Sequence, residues 1–390
     1  MKRTGIEASI AIAKAVQQSR ADVIAAYPIT PQTHIVEQLA EYVANGELEG
    51  QYVPVESEHS AMSACVGSSA VGARTFTATA GVGLELMHEV LYLASSMRMP
   101  IVMAVANRAL SGPLSIWGDH SDVMATRDCG WIQIFAENAQ QAYDQIFCAF
   151  KIAETESVLF PTMVNIDGFH LSHVIEPLEL IEQSRIDSFL PECKRKYILD
   201  PEKPITMGAF AMPAFYSEVR KAQDVALRNS KKVIFQVWEE FYKLTGRKYL
   251  PIETYHMENA EVLLITMGSY SETAMAAVDE LRGGGLNVGL ARIRLWRPFP
   301  FEELSDALSK AKTVIVLDRA ISYGGTIGPV CSEIKAALYA EKDRPKIIGF
   351  TGGLGGRDIS ASTFKTMVKH AVQNTDKLQD NEVHMIEVRE

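Results

Sequence analysis

Short apolar runs alternate with stretches of helical periodicity along the first 170 residues of the chain. Apolar runs of this length indicate strands, and apolar positions three or four residues apart indicate helices. Their alternation is typical of a parallel sheet with helices on both faces. The predicted strands are 23–27, 52–55, 75–79, 101–106, 131–135 and 161–166, and the predicted helices are 32–44, 57–70, 84–95 and 139–154.

The pattern loosens after residue 181, where prolines recur and a helical stretch at 218–243 stands alone. Alternation resumes near residue 260 with a helix at 271–282, which three glycines end as expected at a helix C-terminus. The strands predicted in this second part are 262–266, 288–293, 313–317 and 346–350. We therefore predict an α/β domain at 1–180, a connector with an inserted helix at 181–258, a second α/β domain at 259–375 and a polar tail at 376–390.

Composition narrows the class of protein. Hydrophobic residues make up 47% and charged residues 22%, which suits a globular protein with a substantial core. A net charge of -10 argues against a nucleic-acid partner, which would favour a basic face. The sequence has no apolar run of membrane-spanning length, and Glu7 follows the basic start at once, so we expect neither a membrane span nor a secretory signal. A cytoplasmic location is the expectation.

The cysteines are too scattered for a metal cluster. No two of them lie within four residues of each other, whereas iron–sulfur and structural zinc sites usually show close pairs. We therefore expect buried core thiols in a reducing compartment and no cluster held by this chain. The five are Cys65, Cys129, Cys148, Cys193 and Cys331.

Ligands of open parallel sheets bind beyond the carboxyl ends of the strands, so the residues that follow each strand are the site candidates. The first strand leads into Tyr-Pro-Ile-Thr-Pro at 27–31. Prolines on both sides of Thr30 restrict its backbone and would hold its hydroxyl in one direction, suited to an anionic substrate. The alternative is a rigid turn in which Thr30 or Thr33 caps the next helix.

Two acids open the helix that follows the second predicted strand. Glu56 and Glu58 precede a helix made largely of alanine, serine, cysteine and glycine, which lets a ligand or another backbone come close. Thiamine-dependent catalysis needs a carboxyl group that shares a proton with the cofactor's aminopyrimidine ring, and Glu58 is the candidate. The alternative is that helix electrostatics alone favour both acids at this end. His59 is expected on the helix surface or at an interface.

Arg108 directly follows the most apolar strand, and its planar guanidinium can grip a carboxylate with two hydrogen bonds. The alternative is a structural salt bridge to Asp119 or Asp122 in the loop beyond. His120 can carry a proton, but we expect Asp119, His120 and Asp122 to brace this loop.

Three further segments favour structural roles. Asp167, His170 and His173 follow the last strand of the first domain, but their spacing is poor for a metal site and favours a domain-closing or interface loop. The segment 268–271 can present amides to an anion at a helix start. The glycine-rich segment 351–358 fits neither a P-loop nor a dinucleotide fingerprint. Packing turns are expected at 268–271 and at 351–358.

An absent motif completes the pattern. Thiamine enzymes hold the diphosphate and its Mg²⁺ through a Gly-Asp-Gly segment, and the sequence contains none. A neighbouring chain would therefore have to hold the phosphate end of such a cofactor.

Taken together, these segments resemble one family. Tyr-Pro-Ile-Thr-Pro at 27–31, Glu-Ser-Glu-His-Ser-Ala at 56–61, Ser-Ile-Trp-Gly-Asp-His-Ser-Asp at 115–122 and Asp-Gly-Phe-His-Leu-Ser-His at 167–173 are similar to the alpha subunit of 2-oxoacid:ferredoxin oxidoreductases of the pyruvate synthase type. Arg-Ile-Arg-Leu-Trp-Arg-Pro-Phe-Pro at 292–300 resembles the second domain of that family. The resemblance implies a parallel-sheet, pyrimidine-type thiamine-diphosphate-binding domain followed by a transketolase C-terminal-like α/β domain.

The resemblance also implies roles for individual residues. Thr30 and Arg108 match positions that contact the 2-oxoacid carboxylate, and the loop around Asp119 matches a segment lining the substrate side. Ile29 and Glu58 match cofactor contacts, with Glu58 facing the aminopyrimidine as the catalytic group. The implied reaction converts a 2-oxoacid, coenzyme A and oxidised ferredoxin into an acyl-CoA, CO2 and reduced ferredoxin.

Partner chains are part of the same expectation. A beta subunit would carry the diphosphate, Mg²⁺ and a [4Fe-4S] cluster, alongside gamma and ferredoxin-like delta subunits. Thr30 stands where an oxalate-using branch has arginine, which favours a substrate with one carboxylate, pyruvate first. A branched-chain or aryl 2-oxoacid (2-oxoisovalerate or phenylglyoxylate), a catalytically silent assembly subunit and a stand-alone transketolase-like protein are the alternatives.

Overall fold

Two open sheets with helices packed on both faces form the frame of the molecule. The computed structural model describes residues 2–379 and 381–389. The strands are β1 (Lys2–Glu7), β2 (Val23–Ala26), β3 (Gln51–Pro54), β4 (Thr75–Thr79), β5 (Ile101–Asn107), β6 (Ile132–Phe135), β7 (Thr162–Asp167), β8 (Ile175–Leu180), β9 (Ile252–Tyr255), β10 (Val262–Met267), β11 (Val288–Ile293), β12 (Leu295–Arg297), β13 (Thr313–Asp318), β14 (Lys346–Thr351) and β15 (His384–Met385).

The helices fill the connections between these strands. They are α1 (Ala8–Gln18), α2 (Thr33–Ala44), α3 (Glu58–Ala70), α4 (Val82–Leu86), α5 (His88–Ser96), α6 (Ser121–Ala125), α7 (Ala139–Glu154), α8 (Gln183–Phe189), α9 (Pro213–Thr245), α10 (Tyr270–Gly283), α11 (Phe301–Leu308), α12 (Pro329–Leu338) and α13 (Ala361–Gln373). A 3₁₀ turn covers Leu354–Gly356. None of these helices is both long enough and apolar enough to pass through a lipid bilayer.

The first sheet has the order β12-β6-β7-β5-β4-β2-β3. All neighbouring strands are parallel except β12, which pairs antiparallel with β6 at the edge. Every residue of β5 is buried, as expected for a central strand covered on both faces, whose apolar run need not alternate with polar residues. The carboxyl ends of β2, β4, β5 and β7 therefore meet at one edge of this sheet.

The second sheet has the order β15-β14-β13-β10-β11-β9 and is parallel except for β9. The predicted α/β class with mostly parallel sheets is thus confirmed. In the segment of the chain that connects the two sheets, α9 is 33 residues long, and its buried residues all lie in its second half. Trp238 and Phe241 are buried there, whereas Phe215 near the start is 64% exposed.

Three features differ from the predicted elements. The basic start of the chain, where no strand was predicted, contains β1, which pairs antiparallel with β8 in a separate two-stranded sheet. Both strands carry mixed polar and apolar residues without an apolar run, which explains why the pattern missed them. The helix predicted at 84–95 is two helices, which join at Met87. The polar tail contains β15, which extends the second sheet beside β14.

A buried ion-pair network joins the two sheets. Arg319, which follows β13, forms an ion pair with Asp167 at the end of β7, and at most 1% of either side chain is exposed. The second carboxylate oxygen of Asp167 accepts hydrogen bonds from the backbone N and the Oγ of Ser269, both at 2.7 Å. The His120 ring lies 3.1 Å from Asp167, and the guanidinium lies 4.3 Å from the Tyr270 ring centre. The predicted anion position at 268–271 is thus filled by a carboxylate of the same chain.

The electrostatics of this network depend on Arg319. Burial alone would raise the pKa of Asp167, but the charge of Arg319 and the contact with His120 hold that pKa well below its usual value. Burial and the positive charge of Arg319 both lower the pKa of His120, which favours its neutral form. Because the pKa of Asp167 is depressed in the folded state, the pair contributes stability at neutral pH and loses it only as the pH falls through that depressed value.

We expect Arg319→Met to lower the free energy of unfolding by about 3–5 kcal/mol at neutral pH, because Asp167 would remain buried without its charge partner. The deficit should shrink as the pH is lowered, because in the variant burial raises the pKa of Asp167 without opposition from Arg319, and the carboxyl group can take up a proton. Chemical denaturation of the purified chain at several pH values measures both effects. The control is Arg20→Met, which breaks the surface pair with Asp187 and should cost no more than about 1 kcal/mol. Equal deficits for the two variants would contradict a dominant role of the buried pair.

Candidate functional site

The turn after β2 brings Thr30 to the carboxyl edge of the first sheet. Thr30 is exposed and Ile29 is half-buried. The carbonyl oxygen of Thr30 accepts a hydrogen bond from Arg108 Nη1 at 3.0 Å. The N-cap of α2 is Gln32, without a side-chain capping bond, so the alternative prediction that Thr30 or Thr33 caps this helix is wrong. The turn thus leaves the Thr30 hydroxyl in contact with solvent.

The two acids before α3 have different surroundings. Ser57 caps the helix and accepts a hydrogen bond from the backbone N of Ser60 at 3.2 Å. Glu56 is exposed, and its carboxylate accepts a hydrogen bond from Ser60 Oγ at 2.5 Å. Glu58 is only 5% exposed, and its carboxylate has no hydrogen-bond or ion-pair partner among the residues that the structure describes. A buried carboxylate without a partner is costly, which indicates that a group outside this chain completes it.

A glycine and a threonine form a recess around that carboxylate. A Cβ atom on Gly83 would lie 2.6 Å from Glu58 Oε1 and 2.7 Å from Thr79 Oγ1, so a side chain there would displace these groups. The hydroxyl of Thr79 is buried and also lacks a hydrogen-bond partner within the described part of the chain. We refer to Glu58, Thr79 and Gly83 as the acidic recess. Sequence reasoning missed Thr79 and Gly83, although a threonine ending a strand before two closely spaced glycines was a usable signal.

Asp122 fixes the two turns that flank the acidic recess. Its Oδ2 accepts hydrogen bonds from the backbone N of Gly81 at 3.0 Å and of Arg108 at 2.9 Å. Its Oδ1 accepts bonds from Asn107 Nδ2 at 3.0 Å and from the backbone N of Val123 at 2.7 Å. Burial raises the pKa of Asp122 to about 7, and the donated hydrogen bonds oppose that rise. Four donors match an ionised carboxylate, which has no hydrogen of its own to give.

The guanidinium of Arg108 is held by backbone carbonyls. Nε donates to Ser115 O at 2.8 Å and Nη1 donates to Thr30 O, while Nη2 has no partner among the described residues. Within that same set, no ion pair joins Arg108 to Asp119 or Asp122, so the salt-bridge alternative is wrong. Burial lowers the pKa of Arg108, and the charges of Asp122 and Glu58 act against that shift. Arg108 therefore presents a free nitrogen close to the Glu58 carboxylate.

The loop carrying Asp119 is braced by the second sheet. Asp119 Oδ1 accepts hydrogen bonds from the backbone N and Oγ of Ser121, at 2.9 and 2.6 Å, and its Oδ2 accepts one from Gly355 N at 3.0 Å. Gly356 N donates to Gly118 O at 2.8 Å. Both carboxylate oxygens of Asp119 are thus engaged by protein, as expected for a bracing residue. Its predicted contact with substrate stays a prediction.

The histidines after β7 have separate partners. His170 Nε2 lies 3.2 Å from Gly356 O and 3.1 Å from Tyr270 Oη, which joins this loop to the second sheet. His173 turns instead toward His34 in α2, with ring centres 4.5 Å apart. His59, beside Glu58, is exposed as predicted.

A groove of about 800 Å³ opens on a different face, between α9 and the pair α11–α12. None of the predicted site residues lines it. Charged side chains on its wall are paired with one another, as Arg228 is with Asp224 at 2.9 Å. The candidate site is therefore the carboxyl edge of the first sheet and not this groove.

Comparison with known proteins identifies the family. The profile described as "Pyruvate flavodoxin/ferredoxin oxidoreductase, thiamine diP-bdg" matches residues 14–239, and "Pyruvate:ferredoxin oxidoreductase core domain II" matches residues 260–364. The chain is 49% identical to pyruvate synthase subunit PorA of Methanocaldococcus jannaschii over 95% of both chains. It is 46% identical to ketoisovalerate oxidoreductase subunit VorA of Pyrococcus horikoshii, over 93% of this chain and 92% of the relative.

Solved structures support the fold. A 2-oxoglutarate:ferredoxin oxidoreductase from Magnetococcus marinus aligns with a TM-score of 0.71 at 19% identity, over 95% of this chain and 65% of that one. A split-gene transketolase aligns with a TM-score of 0.54 at 12% identity, over 95% of this chain and 99% of that one. Together with the matched profiles, these likenesses fit a thiamine-type domain followed by a transketolase C-terminal-like domain. The chain belongs to the pyruvate:ferredoxin oxidoreductase family, as an alpha subunit.

Proposed function

We propose that the chain acts within a multi-subunit enzyme that oxidatively decarboxylates pyruvate. With coenzyme A and oxidised ferredoxin, the enzyme would form acetyl-CoA, CO2 and reduced ferredoxin. The observation that carries the proposal is the buried carboxylate of Glu58, which has no partner among the described residues and faces a space that Gly83 keeps open. Relatives named pyruvate synthase subunits, at 45–49% identity, support the choice of substrate.

The acidic recess fits the pyrimidine end of thiamine diphosphate. The Glu58 carboxylate and the Thr79 hydroxyl have no hydrogen-bond partner among the described residues and lie beside a glycine. An aminopyrimidine ring offers nitrogen donors and acceptors to both. When bound, thiamine diphosphate supplies a thiazolium ring that accepts the electrons left behind when CO2 departs. In this proposal Glu58 is the catalytic residue and exchanges a proton with the pyrimidine ring. The half-buried Ile29 is a second cofactor contact.

Arg108 and Thr30 would orient the substrate. The free Nη2 of Arg108 can donate to the carboxylate of the 2-oxoacid, a charge-assisted hydrogen bond. The exposed Thr30 hydroxyl lies on the same turn whose carbonyl holds the guanidinium, so the two groups keep a fixed relation to each other. Positioning of this kind lowers a reaction barrier without chemistry by the residues themselves. The loop around Asp119 would close the substrate side.

A neighbouring chain is needed to complete the site. The sequence lacks Gly-Asp-Gly, so we propose that a beta subunit holds the diphosphate, its Mg²⁺ and a [4Fe-4S] cluster. Gamma and ferredoxin-like delta subunits would carry electrons onward to ferredoxin, in the cytoplasm. Cys65, Cys129, Cys148 and Cys193 are free thiols, and burial raises the pKa of Cys65 and of Cys129 to about 12, which disfavours the thiolate form that binds metal.

A branched-chain 2-oxoacid is the second candidate substrate. The 46% identity to a ketoisovalerate oxidoreductase subunit favours it, because that value lies within the range of the pyruvate synthase subunits. Both substrates have one carboxylate and differ only in the side chain. The ratio of kcat/KM for pyruvate and 2-oxoisovalerate, measured on the assembled complex, separates the two candidates.

We expect Glu58→Gln to reduce kcat of the assembled complex by at least about 100-fold, because glutamine cannot exchange the proton. Turnover is measured as pyruvate-dependent reduction of ferredoxin. The matched control is Glu56→Gln at the same helix start. Its exposed carboxylate accepts a hydrogen bond from Ser60 Oγ, and its loss should leave kcat within about twofold of wild type. Near wild-type turnover by Glu58→Gln in an intact complex would favour the silent assembly subunit instead.

A second variant tests substrate orientation. We expect Arg108→Lys to raise KM for pyruvate by about 10–100-fold, because lysine keeps the charge but lacks the planar fork. KM for coenzyme A should stay unchanged. Arg127→Lys, in the same region of the chain but paired with the exposed Asp128, is the control. If Arg108→Lys changed KM for pyruvate and KM for coenzyme A equally, the variant would have a structural defect. That result would contradict a direct contact between Arg108 and the 2-oxoacid.

A further inference from the structure

Three potential metal ligands converge at a point that the proposed reaction does not use. Glu7 ends β1, His34 lies in the first turn of α2 and His173 lies in the loop between β7 and β8. One ligand atom from each of the three lies within 4.8 Å of the other two. All three residues are partly buried, so the cluster has an open side toward solvent. The three residues are far apart in sequence, and the fold brings them together.

The contacts within the cluster hold the side chains in place. His34 Nδ1 lies 2.7 Å from Glu7 Oε1. The rings of His34 and His173 have centres 4.5 Å apart, tilted by 42°. His173 Nδ1 lies 2.7 Å from Ser172 Oγ, and the ring centres of His173 and Phe169 are 4.7 Å apart. Metal-binding histidines usually have their second ring nitrogen held by a polar group, and Ser172 offers that contact.

The donor set selects a class of ion. Two imidazoles and one carboxylate suit Zn²⁺ and its neighbours Co²⁺ and Ni²⁺, whereas Ca²⁺ and Mg²⁺ prefer oxygen ligands alone. Zinc would need the ligand atoms at about 2.0–2.2 Å from the ion, so the Glu7 and His34 atoms, now 2.7 Å apart, would have to separate slightly. A fourth position would stay open for water.

We propose that Glu7, His34 and His173 bind one divalent transition-metal ion of the zinc class. The ion would join the end of β1 and the loop after β7 to the start of α2, three residues beyond the Pro31 turn. Phe169 continues the contact to Trp117, with ring centres 4.4 Å apart. The proposed metal site thus lies at the rim of the candidate active site and is distinct from the acidic recess. The proposal of a metal ion at this site does not depend on the proposed reaction.

The test measures metal binding directly. The full-length chain is prepared without a histidine tag, treated with chelator and titrated with Zn²⁺ by calorimetry and with Co²⁺ by visible absorption. We expect one Zn²⁺ per chain, a Co²⁺ spectrum typical of four-coordinate nitrogen and oxygen ligation, and a rise in Tm with added zinc. His34→Ala and His173→Ala should each weaken binding by more than about 100-fold.

Two further variants keep the test decisive. Glu7→Gln conserves size and should weaken Zn²⁺ binding without lowering Tm in the absence of metal. His256→Ala is the matched control, because His256 also contacts a carboxylate, Asp279 at 3.0 Å, but belongs to no three-ligand group among the described residues. Its Zn²⁺ affinity should equal that of the wild type. Wild-type binding no tighter than that of His34→Ala, or an equal loss in His256→Ala, would overturn the proposal.

Discussion

The ion pair between Arg319 and Asp167 is the constraint on which the arrangement of the two sheets depends. Neither charge reaches water, so each must be satisfied by the other half of the chain. Asp167 ends the strand next to β5, and Arg319 begins the loop after β13. The carbonyl oxygen of Arg319 accepts a hydrogen bond from His120 N at 2.8 Å. If the two sheets separated, Arg319 and Asp167 would each lose the partner that neutralises its charge. The sheets are therefore held in one relative position. The loop carrying Asp119 lies between the two sheets and is held in place with them.

Small residues leave space beside the carboxylate of the acidic recess. The helix α3 begins at Glu58 and carries few bulky side chains, and Gly83 approaches the carboxylate where any other residue would collide. Asp122 then fixes the turns after β4 and β5 through four hydrogen bonds. The result is an unpartnered carboxylate held by a rigid frame. Protein interiors rarely tolerate such a group, and its presence here is the strongest physical sign of a ligand from outside the chain.

The sequence predicted the central strands well because buried parallel strands are apolar along their whole length, as β5 is. It also placed Glu58 and Arg108 at the correct edge, since residues that follow parallel strands must meet there. It missed β1 and β8, whose pairing depends on contacts far apart in sequence. It also missed Thr79 and the His34–His173 contact, because neither belongs to a periodic pattern.

The edge strand β12 has a consequence for how the chain can be divided. These three residues belong to the second half of the sequence, yet they complete the first sheet beside β6. A fragment that stopped at the connector would expose the hydrogen-bonding groups of β6, whose four residues are all buried in the whole chain. Bare apolar edges of this kind pair with other molecules. The first half is therefore poorly suited to independent expression, and gene fission or domain shuffling at the connector would have to carry β12 along.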